Sequence, residues 1–149
     1  MQNNDTVKVL NELIHTSEDG EKGFTEAAEI AKDPKLQLLF RECARDCHSA
    51  AAELQAQVTV LGGKPEDGGS IAGAAHRGWV KVKSTIEDSN IAVLEEVERG
   101  QDHAKAAYNK AIKANLPPQI KALVQRQHDG AVRNHDRIRD LRNQYKAGV

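Results

Sequence analysis

The chain has 149 residues, enough to bury the core of one domain, and its 21 Lys and Arg nearly cancel its 22 Asp and Glu to leave a formal net charge of -1. That balance gives no overall field toward nucleic acid or an anionic membrane, and aromatic residues at 3% supply little to stack on bases. No apolar run approaches the roughly 18 residues of a membrane span, and the start, MQNNDTVKVLNEL, lacks the basic flank and apolar stretch of a secretory leader, so the expectation is a single cytoplasmic domain over residues 1–149.

In chain order, the first helix is expected from about Asp5 to Lys32, with Asn4 or Asp5 as N-cap and Val7, Leu10, Ile14, Phe24, Ala28 and Ala31 inward. Ser17 and Glu21 interrupt that stripe at its middle. Asp33-Pro34 pairs an N-cap with proline at the first helical position, and it starts a second helix that Gly62-Gly63 ends. Cys43 and Cys47 lie four apart inside it, a spacing that suits small packing side chains better than a disulfide framework or a metal knuckle. The loop GGKPEDGGS leads into a short helical pattern from about Ser70 to Ile86 containing His76 and Trp79. A third long helix is expected from about Ser89 to Ala114. NLPP then breaks the chain, and a last helix runs from about Pro118 to Lys146 with Ile120, Val124, Ala131, Ile138 and Tyr145 inward. Its arginine-rich part, Arg133 to Arg142, is interrupted by aspartates and reads as a solvated face.

No segment alternates with period two, so the chain reads as all-α. Two tight connections and one long connection, 62–89, predict a four-helix bundle with a crossover, in which the second and third helices run parallel. On a common height scale of about 1.5 Å per residue, Glu18, Glu21, Arg45, Asp46, His48, Glu98, Asp102, His128, Gly130, Asn134 and His135 then fall in one slab. The helical glycines Gly20, Gly100 and Gly130 share that level, each at a cost of roughly 1 kcal/mol relative to alanine, and close packing or a local distortion is expected there.

Carboxylates with histidines inside a bundle are the ligand types of a di-iron or di-manganese site. A structural network of Glu21, Arg45, Gln101, Gln127 and Asn134 that fixes helix register is the other reading, with Arg45 neutralising Glu21 or Glu98. The slab holds no Glu-x-x-His pair; the one match in the chain, Glu12 with His15, lies off the stripe.

The stretches LNELIHTSEDGEKGF, AAELQAQVTVLGGKPEDGGSIAGAAHRGWVKVK, LEEVERGQDHAKAAY and NHDRIRDLR resemble ferritin-like bacterial four-helix-bundle proteins that carry only a domain-of-unknown-function label. The resemblance covers nearly the whole chain. It implies an all-α, ferritin-like four-helix bundle whose long B–C crossover carries a short extra helix, and a stress-associated or interaction protein without an assigned reaction or catalytic residue. The leading expectation is such a protein self-associating through an outer helix face as a homo-oligomer such as a dimer, with no nucleic-acid or membrane partner on the grounds of composition given above. The alternative, read from the carboxylates and histidines of the slab, is a metal-dependent oxidoreductase using Fe or Mn, with Glu21, Glu98 and His135 as the first ligands and Glu18, Asp102 and His128 next.

Overall fold

The computed structural model describes residues 3–65 and 90–148. The short helix expected at 70–86, with His76 and Trp79, lies outside the described residues. Among those described, the chain forms four helices and no strand: α1 (Asn3–Ile30), α2 (Pro34–Val60), α3 (Asn90–Lys113) and α4 (Pro118–Lys146). None of these helices is long and apolar enough to cross a membrane.

The boundaries follow from local chemistry. Asp33 caps α2, its Oδ1 accepting the Lys35 backbone N–H at 2.9 Å while Pro34 occupies the first turn, where a missing donor costs nothing. Its Oδ2 accepts from the Tyr145 hydroxyl, which ties the last turn of α4 to the first turn of α2. At the other end of α2, Gly62 adopts a φ of 80°, the left-handed conformation that lets the chain leave a helix. There the Gly62 and Gly63 amides return to the Thr59 and Val58 carbonyls at 3.0 Å.

Apolar side chains gather in two clusters. One joins Phe24 and Ala27 of α1, Leu36 and Phe40 of α2, Val93 and Leu94 of α3, and Ile138 of α4. Phe24 and Phe40 meet at its centre with ring centroids 6.2 Å apart. The second joins Leu10 and Ile14, Leu54 and Val58, Tyr108 and Ala111, and Ile120 and Val124. The first cluster therefore takes the end of α1, the starts of α2 and α3 and the end of α4, so α1 and α4 run one way and α2 and α3 the other. Parallel α2 and α3 require the intervening chain to return along the bundle, as the connection lengths predict, and exclude a simple up-down-up-down order. The pairs α1/α2, α3/α4 and α1/α3 pack closely, while α2 and α4 are only loosely packed against each other. A polar belt containing Ser17, Gln101, Gln127, Asn134 and His135 separates the two apolar clusters.

Candidate functional site

Glu98 and Asp102 stand one turn apart on α3, and α4 sets His135 against them. The His135 Nε2 lies 2.8 Å from Asp102 Oδ1 and 3.6 Å from Glu98 Oε2, while its Nδ1 lies 3.1 Å from Asp136 Oδ1. The histidine side chain is 8% exposed and Glu98 12%, whereas Asp102 is 60% exposed. Glu98 also pairs with the guanidinium of Arg142, two turns beyond His135. The hydrogen bond from His135, followed by the field of Arg139, holds the Asp136 carboxyl below the usual range against its partial desolvation.

This pairing continues along α4. On the α3 side, Glu95 meets Lys146 at 3.0 Å. On the α2 side, Glu42 meets Arg137 at 3.3 Å, Asp46 accepts from Asn134 at 3.1 Å, and Glu53 meets Arg126 at 2.8 Å. The last helix thus lies between two acidic flanks, and its arginines do more than the solvated face expected of Arg133 to Arg142: Arg137 and Arg142 bridge helices.

The other expected ligands lie elsewhere. Glu21 faces His48 across the α1/α2 seam, with the His48 Nδ1 3.2 Å from both carboxylate oxygens, so it does not share a seam with Glu98 and His135. Glu18 lines a shallow groove on α1 with Glu21 and Lys22. On α4, His128 lies 3.0 Å from Asp129 and is not in the Glu98 group. Arg45, expected to neutralise the layer, is exposed beside Glu21 and His48 and makes no ion pair among the described residues; Arg142 occupies that role instead.

Glu98, Asp102 and His135 offer three ligand atoms within 4.8 Å of one another, a donor set of the right kind for a single transition-metal ion. A carboxylate-bridged pair of metals asks for more: four carboxylates and two histidines. One Glu98 oxygen is already held by Arg142, so the group fits at most one cation, and that cation would share Glu98 with the guanidinium.

Inward of these pairs, amides and hydroxyls surround a cavity of about 330 Å³ that reaches the surface along the loose α2/α4 side. The Tyr108 hydroxyl donates to Gln127 Oε1 at 2.9 Å and lies 3.5 Å from Ser17 Oγ. The Gln127 amide donates to the Ala50 carbonyl at 3.2 Å and to Glu53 at 3.1 Å, and the Gln101 amide donates to the Ala131 carbonyl at 3.3 Å. Burial pushes the Tyr108 hydroxyl up to about 12 and the Cys43 thiol to about 12, with Cys47 raised further by desolvation and then by its neighbour Cys43. Both cysteines are unpaired, and neither carries the lowered pKa of a reactive thiolate. Gly130 borders the cavity, and among the described residues a Cβ placed there would meet only the Arg133 Nη2, at 3.6 Å, so close packing, one of the two explanations expected of this glycine, is not found among them.

No curated protein matches the sequence. Residues 5–114 of the 149 match a family model whose description is Domain of unknown function (DUF2383). The matched span takes in α1, α2 and α3, with Glu98 and Asp102, and stops before α4, which brings His135 and Arg142. A match over most of the chain, on a fold of four helices, places this protein in the family described as Domain of unknown function (DUF2383).

Proposed function

We propose that this is a non-catalytic, ferritin-like bundle of the cytoplasm that acts as a binding or interaction protein, in the manner of stress-associated bundles, and that its polar layer is structural. One observation carries the reading: the charged groups around His135 already have protein partners, Glu98 in Arg142 and both Asp102 and Asp136 in His135. The same acid-to-base pairing repeats at Glu95–Lys146, away from any histidine, as a helix-docking device would. The raised pKa values of Cys43 and Tyr108 favour their neutral forms, which are poor nucleophiles and bases.

A second reading rests on the three ligand atoms of Glu98, Asp102 and His135: a metal-dependent oxidoreductase holding one Fe or Mn ion there. Melting temperatures with and without Fe(II), Mn(II) and Zn(II) separate the two. A structural layer leaves the melting temperature unchanged. A metal site raises it by mass action, and Glu98→Gln removes the rise. Self-association as a dimer is part of the same proposal, with the exposed Leu38 and Val60 of α2 as apolar points on an outer face. Sedimentation velocity that finds only monomer at tens of micromolar contradicts it.

A further inference from the structure

We infer that the cavity between the helices binds an uncharged, hydrogen-bond-donating organic molecule of about a dozen heavy atoms. Its volume of about 330 Å³ is roughly twice that of a cavity that holds benzene, which sets the size.

The lining sets the chemistry. Gln101 is 3% exposed and Asn134 7%, and both border the cavity. Each amide orientation is fixed by its partner, because the nitrogen must face an acceptor: the Ala131 carbonyl for Gln101 and the Asp46 carboxylate for Asn134. The carbonyl oxygens of both side chains are then left without a donor among the described residues. Two acceptors on the cavity lining would lose their access to water under an apolar guest, which disfavours such a guest and rewards one that brings N–H or O–H groups. Of the hydroxyls in the lining, Tyr108 donates to Gln127, Thr16 donates to the Glu12 carbonyl at 3.0 Å, Ser17 lies 3.5 Å from the Tyr108 hydroxyl, and Ser49 is on the exposed side.

Charge selects against ions. Asp46 and Glu53 on the rim are matched by Arg126 and Arg133, and the interior, with Ser17, Cys47, Gln101 and Tyr108, has no formal charge while the thiol and phenol stay protonated. The absent side chain of Gly130 keeps one wall open, since a Cβ there would meet only the end of Arg133. Glu98, Asp102 and His135 do not line this cavity, so the inference stands apart from the reading of the ion-pair layer.

Neutral polyols and amino-bearing nucleobases share this donor chemistry. The test sets glucose, myo-inositol, adenine and cytosine at millimolar concentration against gluconate and glucosamine as charged controls, read by saturation-transfer NMR and by melting temperature. The expected result is binding by a neutral probe, at least tenfold tighter than by the charged controls, and the family of the bound probe identifies which source of donors the site takes. Gly130→Leu, which fills the wall, is expected to abolish that binding, and Gln101→Leu to weaken it about tenfold, with circular dichroism confirming the fold of each. Should Gly130→Leu not fold, Asn134→Leu takes its place. Failure of all four neutral probes, a preference for the charged controls, undiminished binding by the folded variants, or a cavity that holds only ordered water in crystals soaked with the same probes overturns the inference.

Discussion

Arg142 reaches Glu98 from two turns beyond His135, and the long guanidinium explains why a carboxylate only 12% exposed can stay inside the α3/α4 seam. Replacing it by methionine keeps most of the stem packing but leaves Glu98 with only the more distant His135. Arg142→Met is therefore expected to destabilise by about 1–3 kcal/mol in urea unfolding, and Glu98→Gln in the same chain to recover a large part of that loss. Heights along the helices were legible in the sequence: from the one expected slab, the structure brings Glu98 to His135, Glu21 to His48 and Asp46 to Asn134. Partners were not, because height follows from a constant rise while the facing direction turns about 100° per residue and depends on how each helix is rotated. The arginine also misleads a backbone height scale, since helical side chains lean toward the N-terminus and a long one acts a turn or more below its own Cα.

Asp33 gives a pH signature with a definite sign. Its carboxyl is held below the ordinary range, first by the Tyr145 hydroxyl and next by the Lys35 amide, so its contribution is complete above the unfolded value of about 4 and is lost as pH falls through the folded one. Tyr145, pushed up to about 12 mainly by desolvation, loses its contribution only as pH rises past the ordinary phenol range. Urea midpoints measured at pH 6 and pH 3 are expected to differ less in Tyr145→Phe than in the native chain. An unchanged difference shows that other carboxylates dominate the acid response.

Each helix was readable from its punctuation. The Asp33-Pro34 start, the Gly62-Gly63 stop and the NLPP break are cases where a residue's dihedral limits leave few alternatives, and the observed ends fall within a few residues of those expected. The glycines carried less information. Gly130 is an interior glycine beside open space, so Gly130→Ala is expected to stabilise by up to about 1 kcal/mol through helix propensity, measured by thermal or urea unfolding. Destabilisation of that size restores the close-packing explanation. The most polar of the four helices, α4, is docked by ion pairs on both flanks, and such pairs at the surface contribute about 0–1 kcal/mol each and are screened by salt. Hydrogen exchange is thus expected to show α4 opening more readily than α1, with the gap widening at 1 M salt. Equal and salt-independent protection contradicts an electrostatic docking.

The bundle is built from two apolar clusters with a polar belt between them, and either cluster alone is small for a chain of this length. Phe40, fully buried against Phe24, is a joint of the first cluster, and Phe40→Ala is expected to cost about 3–5 kcal/mol in urea unfolding. The belt between the clusters either closes on itself through Arg142 and His135 or holds a metal through Glu98, Asp102 and His135. Elemental analysis of untagged protein, expressed in metal-supplemented medium and purified without chelator, decides between these states. A belt closed by its own residues retains no transition metal in stoichiometric amount. One equivalent of iron or manganese per chain that survives dialysis and is lost in Glu98→Gln contradicts it.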